Sequence, residues 1–377
     1  MIAASVPAQR PADAKLLVVD RYRRVSHLPR ATFAELLRPK DLVIANDAAT
    51  LPASLQGMHV RTGVPVEVRL AGRRSLHVDD VKHFDAIVFG EGDFRTPTEQ
   101  RPLPPTLLPG DRLRLGPLRA VIKRLLDHPR LVSLKFAGTP SDIWSGLAQH
   151  GRPIQYAHLA MPLALWDVWT SHAALPVAFE PPSAGFPLNW SVRADIRARG
   201  AKFATLTHAA GISSTGDPEL DKRLPFAEPY HIPRSTAAEL RIAKASGGRV
   251  IAIGTTVVRA LEHAALLSAV VDEGFGIAFQ RIGPQSVLRT VDAILSGAHE
   301  PGTTHYELLR AFVDDDTLER ASNELEAHGY RTHEFGDSIL IERSAVKGRD
   351  GRVATVRDFH YVPSITRETA IDLAGAG

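Results

Sequence analysis

The pattern of hydrophobic and polar residues differs between the two outer parts of this chain and its middle. Continuous apolar runs between polar residues are typical of strands that a sheet buries on both faces. Such runs occur at Lys15–Asp20, Asp41–Ala45, Lys202–Thr207, Arg249–Ile253 and Ser338–Glu342. Segments with helical periodicity lie between these strands. The two outer parts of the chain therefore predict an α/β architecture.

The middle of the chain has a different pattern, with short strand-like segments separated by glycine and proline. Predicted strands cover Val64–Leu70, Phe84–Phe89 and Arg112–Val121. Short strands at this spacing are typical of a small barrel or sandwich. We therefore predict an α/β main domain made of residues 1–54 and 151–341. A small all-β, barrel-like domain is inserted into it at residues 55–150.

Helices are predicted mainly in the second half of the chain, where start and stop signals frame periodic segments. Besides a short helix at Thr32–Leu37, they cover Val192–Arg199, Ser235–Lys244 with Ser235 as the cap, Thr256–Leu267, Ser286–Leu295, Thr303–Val313 and Asp316–Ala327. Residues 342–377 form an extension. Its Gly348–Gly351 turn predicts a β-hairpin.

Composition excludes several classes of protein. The chain has 377 residues, of which 44% are hydrophobic, and it has no cysteine. Disulfides, thiolate nucleophiles and iron–sulfur clusters are therefore excluded. No apolar run approaches the ~18 residues of a membrane span, and the first residues lack a secretory pattern, so we expect a cytoplasmic protein without membrane contact. The sequence contains no phosphate-binding loop motif. No histidine pair has a third ligand at a spacing typical of metal sites, so no metal site is expected.

One segment concentrates positive charge. Between Arg101 and Lys135, eight lysines and arginines stand against Asp111 and Asp127. Such a face can bind a nucleic-acid backbone, or it can simply be the solvated side of a β-rich segment.

The sharpest local pattern is Val250–Glu262, where a buried strand ends in Gly254 and a helix follows. Thr255 and Thr256 lie at the junction, and Arg259 and Glu262 share one face of the helix. The free N–H groups of a helix N-terminus suit a carboxylate or a phosphate. The alternative is an ordinary strand-to-helix junction with threonine as the N-cap.

At this point the sequence resembles a family. Gly254-Thr-Thr-Val-Val-Arg-Ala-Leu-Glu262 resembles the GTTxxRxLE motif of the S-adenosylmethionine:tRNA ribosyltransferase-isomerases of queuosine biosynthesis. Further blocks resemble the family's in the same order over about residues 15–341: Leu16–Arg21, Leu37–Asp47, Leu51–Leu55, Pro181–Gly185, Leu206–His208, Glu228–Ile232, His299–Thr304, Leu308–Phe312 and Tyr330–Ile341.

The resemblance implies a fold and a reaction. The family's fold is an α/β domain with an inserted small β-barrel. Its enzymes take the ribosyl part of S-adenosylmethionine, because the sulfonium acidifies the 5′ carbon and a base removes a proton. Adenine and methionine leave, and the ribose ends as an epoxycyclopentane on 7-aminomethyl-7-deazaguanine in tRNA. No cofactor beyond the co-substrate S-adenosylmethionine is implied. We expect a monomer or a weak homo-oligomer with tRNA as the inherited acceptor.

The matched blocks also imply site residues. His208 and Glu228 are the expected proton-transfer residues, because they remain where other polar residues of the family are absent. The expected contacts to S-adenosylmethionine come from the matched motifs: Asn46, Asp47, Ser183, Tyr230, Gly254, Thr255, Thr256, Arg259, Glu262 and His299.

Departures from the family pattern keep other readings open. The histidine of the family's AGLHFT block is replaced within Gly185–Asn189, and Arg223 and Phe226 stand where the family has two histidines. A substrate-shifted paralogue would look like this. The alternatives are therefore a paralogue that uses S-adenosylmethionine with a small-molecule acceptor or by elimination, and a non-catalytic binding protein.

Overall fold

The largest part of the molecule is built around one mixed β-sheet. A computed structural model describes residues 1–268 and 270–344, and the hairpin predicted at Gly348–Gly351 lies outside the described residues. In chain order the strands are β1 (Ile2–Ala3), β2 (Lys15–Val19), β3 (Val25–Pro29), β4 (Leu42–Asn46), β5 (Ala49–Thr50), β6 (Ser54–His59), β7 (Val64–Gly72), β8 (His83–Phe89), β9 (Arg112–Leu115), β10 (Leu118–Leu125), β11 (Leu131–Phe136), β12 (Pro176–Ala178), β13 (Lys202–His208), β14 (Glu228–Ile232), β15 (Val250–Ile253), β16 (Gly274–Ala278), β17 (Ala293–Gly297), β18 (Arg331–Thr332) and β19 (Ser338–Glu342).

Helices cover the sheet and close the ends of the strands. The α-helices are α1 (Pro140–His150), α2 (Trp190–Ala198), α3 (Pro218–Asp221), α4 (Arg234–Ala245), α5 (Thr255–Leu267), α6 (Thr304–Leu309) and α7 (Asp315–Ala327). Short 3-10 helices cover Arg30–Leu36, Thr98–Gln100, Leu165–Val168 and Ser183–Gly185. Among the described residues, no helix is both long and apolar enough to span a bilayer.

The main sheet has nine strands among the described residues, in the order β16-β14-β13-β4-β15-β17-β19-β2-β3. Its centre is parallel, because β13, β4, β15 and β17 run in one direction. Helices α4, α5 and α7 pack on one face, and α2 with the first 3-10 helix packs on the other. Burial on both faces explains the continuous apolar runs of these central strands.

The inserted region forms a closed antiparallel barrel of β6 to β11, in the order β10-β11-β8-β7-β6-β9. Inward residues such as Val68, Leu113 and Ile122 are fully buried and form its core. The predicted fold class, an α/β main domain with a small all-β barrel, is therefore confirmed. The boundary chosen at residues 55–150 stays a prediction.

Three local predictions are wrong. Residues 286–295 form no helix, because Ala293–Gly297 is a strand between β15 and β19. The segment 112–121 is two strands, which turn at Gly116 and Pro117. The helix predicted from Ser235 begins at Arg234, and its cap residue is Pro233, which makes no side-chain capping bond.

Candidate active site

The carboxyl ends of the parallel strands meet at one edge of the sheet, where ligands of α/β folds usually bind. A cavity of about 510 Å³ lies there. The cavity is lined by seven of the residues expected from the sequence, which are Ser183, Glu228, Gly254, Thr255, Thr256, Arg259 and His299. This volume is in the range of sites for small molecules.

Gly254 makes the sharp turn between β15 and α5. Its φ is +89°, and an added Cβ would lie 3.2 Å from the Cβ of Ala184. Glycine adopts such a conformation without the steric cost that other residues have. Gly254 itself is the N-cap, so threonine is not the cap that the sequence suggested, and no side chain covers the start of α5. The first N–H groups of this helix are therefore available on the cavity side.

Arg259 and Glu228 form a buried ion pair at the wall of the cavity. Nη1 of Arg259 donates to Oε2 of Glu228, and Nη2 donates to the carbonyl oxygen of Ala278 at 3.0 Å. The backbone N–H of Gly211 donates to Oε1 of Glu228 at 2.5 Å. Burial raises the pKa of the Glu228 carboxyl, while the Arg259 guanidinium acts in the opposite direction.

Arg259 thus holds Glu228 rather than Glu262. The carboxylate of Glu262 accepts from the backbone N–H groups of Arg289, Thr290 and Val291 at 2.7–2.9 Å. Glu262 is buried and lines no part of the cavity in the described chain. Its geometry is that of a residue that anchors the segment before β17, although the sequence suggested a contact to S-adenosylmethionine.

His208 lies behind Glu228 and is fully buried. Its Nε2 lies 3.4 Å from Oε2 of Glu228. Burial, together with the nearby Arg259, holds the pKa of His208 well below its usual range, so the ring is neutral. The ring does not line the cavity. It reaches the cavity only through the carboxylate of Glu228.

Asn46 and Asp47, at the end of β4, hold the neighbouring strand. The side chain of Asn46 accepts from the backbone N–H of His208 and donates to the carbonyl of His208, both at 2.9 Å. Asp47 accepts from the hydroxyls of Thr205 and Thr207 at 2.7 Å. Neither residue lines the cavity. Both are placed to fix the end of β13 rather than to touch a ligand.

Tyr230 also lies away from the cavity. Its hydroxyl lies 3.0 Å from Nδ1 of His263, and the side chain is almost fully buried. Gly276, on the adjacent strand, leaves room for it, because an added Cβ there would lie 2.4 Å from the Tyr230 hydroxyl oxygen. This is a packing arrangement in the core of the sheet.

His299 reaches the cavity from the end of β17. Its Nε2 lies 3.2 Å from Oγ of Ser296, and its ring stacks on that of His305 with 4.5 Å between ring centroids. Burial, with His305 and His333 nearby, holds the pKa of His299 well below its usual range. Burial lowers the pKa of His305 as well, so two neutral imidazoles line this wall. His305 was not among the site residues expected from the sequence.

Glu180 is a second carboxyl on the cavity that the sequence analysis missed. It immediately precedes the matched block Pro181–Gly185, which was the only signal the sequence offered. The hydroxyl of Tyr156 and the backbone N–H of Ser213 both donate to its Oε1. Burial raises the pKa of Glu180 to about 7.

Two clusters elsewhere in the described chain bring three potential metal ligands together. They are His27, Glu324 and His328 on the surface, and His158, His333 and Glu334 in a half-buried position. In the second cluster the two imidazole rings stack nearly parallel, with 4.2 Å between centroids. Ring-nitrogen lone pairs lie in the ring plane, so stacked rings do not direct them to one point. We assign no metal to either cluster.

Comparison with known proteins identifies the family. The family described as "Queuosine biosynthesis protein" matches residues 1–341. A relative from Sorangium cellulosum, named S-adenosylmethionine:tRNA ribosyltransferase-isomerase, is 33% identical over 90% of this chain and 94% of its own length. A relative of the same name from Thermus thermophilus is 32% identical over 88% of this chain and 93% of its own. A solved S-adenosylmethionine tRNA ribosyltransferase from Thermotoga maritima is 23% identical, with a TM-score of 0.48 over 90% of this chain and 96% of that one. This chain belongs to the queuosine biosynthesis protein family.

Proposed function

We propose that this protein transfers the ribosyl part of S-adenosylmethionine to a 7-aminomethyl-7-deazaguanine base in tRNA and isomerises it there. The family and the names of its relatives support this activity. The observation that carries the proposal is structural. Four residues of the block on which the resemblance was first based, Gly254, Thr255, Thr256 and Arg259, line a cavity at the carboxyl edge of the sheet, and Glu228 lies beside them.

The start of α5 is the proposed site for the methionine carboxylate. The N–H groups there carry a partial positive charge, and the hydroxyls of Thr255 and Thr256 lie next to them on the cavity wall. Arg259 is already bound to Glu228, so it supports this site indirectly. Ser183 and His299 line the cavity from other elements and offer further hydrogen bonds to the nucleoside.

Glu228 is the proposed base for the 5′ carbon. Its paired guanidinium favours the ionised form, while burial raises its pKa and makes the carboxylate a stronger base than one in water. His208 does not touch the cavity, so we assign it a positioning role behind Glu228. Its neutral ring fills the buried space next to Oε2 without adding a charge there.

The test follows the carbon skeleton of S-adenosylmethionine. The purified protein is incubated with S-adenosylmethionine under three conditions: with tRNA carrying 7-aminomethyl-7-deazaguanine, with the same tRNA carrying guanine, and without tRNA. Mass spectrometry then measures adenine, methionine and the modified nucleoside. We expect adenine release and the mass gain of the nucleoside only with the first tRNA.

Other outcomes would contradict the proposal in different ways. Release of adenine without any dependence on tRNA would show a different acceptor or an elimination. No release under any condition would show that the chain does not catalyse this reaction. Binding of S-adenosylmethionine is measured separately, as an increase in the free energy of unfolding. A ligand at ~100 times its Kd raises that free energy by about 2.7 kcal/mol.

A further inference from the structure

The proposed mechanism uses one carboxyl of the cavity and leaves the others, Glu180 among them, without a role. Glu180 follows β12 and faces the cavity beside Pro181, Pro182 and Ser183. Its two oxygens have different environments. Oε1 accepts from the hydroxyl of Tyr156 and, at 2.9 Å, from the backbone N–H of Ser213. Among the described residues, Oε2 has no hydrogen-bond partner, and it is not one of the fully buried polar atoms. Oε2 is therefore the oxygen available to a ligand.

Tyr156 is itself held in place, so the position of the carboxyl is well defined. The side-chain hydroxyl of Ser213 and the backbone N–H of Ser214 both donate to the hydroxyl oxygen of Tyr156 at 3.3 Å. The Arg69 guanidinium lies over its ring, 5.5 Å from the centroid. Burial and the adjacent Glu180 raise the pKa of this phenol well above its usual value, so it remains a hydrogen-bond donor.

Glu180 and Glu228 are two of the four acidic residues that line the cavity, and the charges around them differ. Glu228 has a guanidinium partner, whereas no cation of the described residues forms an ion pair with Glu180. Burial raises the pKa of Glu180 to about 7, and the Glu334 carboxylate contributes in the same direction. The guanidinium favours the ionised form of Glu228, and Glu180 has no such partner; two carboxyls that differ in this way can act as base and acid.

The chemistry of the proposed reaction requires such an acid. Methionine leaves as a neutral thioether and needs no proton. Adenine leaves when its bond to the ribose carbon breaks and the electron pair goes to the purine nitrogen, which then needs a proton. We propose that Glu180 supplies this proton from Oε2 and that Tyr156 positions Glu180. This role rests on the proposed function of the site.

The proton balance of the step closes within the site. Glu228 takes one proton from the 5′ carbon, and Glu180 gives one to the departing purine. The resulting Glu180 carboxylate is stabilised by the Tyr156 hydroxyl and the Ser213 N–H. Water restores the proton to Glu180 after the products leave, and the same exchange discharges Glu228.

The test is the pH dependence of adenine release in a single turnover with tRNA present. In the wild type we expect the rate to fall as pH rises through about 7, because only the protonated Glu180 acts. Glu180→Gln should slow the step by at least about 100-fold and abolish this fall. Glu319→Gln is the matched control, because that carboxylate is exposed on α7 and does not line the cavity.

Two further variants leave Glu180 in place. They should move the pH midpoint of the fall in the rate of adenine release in opposite directions. Tyr156→Phe removes a donor to the carboxylate, so the midpoint should rise. Glu334→Gln removes a nearby negative charge, so the midpoint should fall. A residue with a merely structural role would not produce these opposite shifts, and both variants test the idea even where Glu180→Gln fails to fold.

Failure of the proposed function and failure of the proposed role of Glu180 give different results. A wild-type protein that never releases adenine would overturn the proposed function, and this role with it. An active wild type whose Glu180→Gln variant keeps both its rate and its fall above neutral pH would overturn the role of Glu180 alone. An unchanged midpoint in both Tyr156→Phe and Glu334→Gln would also overturn it.

Discussion

Glu180 and Glu228 are held by one loop. The backbone N–H of Ser213 donates to Oε1 of Glu180 at 2.9 Å, and that of Gly211 donates to Oε1 of Glu228 at 2.5 Å. The two carboxyls come from different elements, one after β12 and one at the start of β14. Because amides two residues apart fix both of them, a shift of this loop would displace the proposed acid and the proposed base together.

Glu228→Gln should lower turnover far more than it lowers binding of S-adenosylmethionine. General-base catalysis typically contributes about 10²- to 10⁴-fold, and the amide cannot take the proton. The variant should also lose roughly 3 kcal/mol of stability, because the buried Arg259 guanidinium loses its counter-charge. Kinetics, calorimetric binding and chemical denaturation measure the three quantities. Asp315→Asn, which breaks the exposed pair with Arg310, should leave all three close to wild type. Equal losses in turnover and affinity would contradict the role as base.

Glu180 should make stability depend on pH in a defined direction. Its pKa is raised in the folded protein to about 7, so the folded state favours the proton. The stabilisation is complete below the unfolded pKa of about 4.3 and is lost as pH rises to about 7, by roughly 3–4 kcal/mol. Denaturation at several pH values compares the wild type with Glu180→Gln. The difference between the two should change across this window, and a constant difference would show that Glu180 does not titrate there.

Gly254→Ala should destabilise the fold and weaken binding of S-adenosylmethionine. The positive φ costs about 1–3 kcal/mol for alanine, and the new Cβ presses on Ala184. Gly247→Ala is the matched control, because Gly247 also has a positive φ, of +73°, but an added Cβ would meet nothing within 4 Å. The control should lose stability without losing affinity. Loss of affinity in both variants would show that global stability, not the junction, limits binding.

Glu262→Gln should reduce stability and leave the site intact. The carboxylate holds three backbone N–H groups before β17, and weaker bonds to them should cost about 1.5–3 kcal/mol. Affinity for S-adenosylmethionine, measured where the variant is fully folded, should equal that of the wild type. Weakened binding with unchanged stability would instead return Glu262 to the ligand site that the sequence suggested.

The outer face of the barrel is the expected contact for tRNA. Arg101 and Arg130 of the basic segment are buried, and Arg101 is bonded to Glu67, so six of the eight cations remain exposed. Arg114 and Arg119 lie directly opposite each other on β9 and β10, where like charges repel unless an anion lies between them.

Arg114→Glu and Arg119→Glu should therefore weaken tRNA binding. Each should reduce the log–log salt slope by roughly one, as expected for the loss of a phosphate contact. Filter binding at several salt concentrations measures this. Arg199→Glu, an exposed charge reversal after α2, is the control and should change neither value. Equal effects of all three variants would point to non-specific attraction.

The presence of the main strands and of an inserted small barrel follows from local patterns that the sequence displays. Apolar runs, glycine and proline punctuation and the helical spacing of α5 and α7 each depend on residues close together in the chain. The segment 286–295 shows the limit of such patterns. Its helical periodicity predicted a helix that does not form. Three of its backbone N–H groups donate to Glu262 instead, and Ala293–Gly297 pairs with a strand on each side.

The chemistry of the site depended on distant parts of the chain. By itself the sequence predicted that a helix follows Gly254, proposed Arg259 and Glu228 as site residues, and showed which family the chain resembles. Only the tertiary structure decided that Arg259 pairs with Glu228, 31 residues away, rather than with Glu262 one turn along its own helix. Only the tertiary structure placed Glu180 beside Tyr156, where none of the described residues forms an ion pair with it. The physical reason is that a carboxyl's protonation depends on its desolvation and on nearby charges, and both are set by the packing of residues that are remote in sequence.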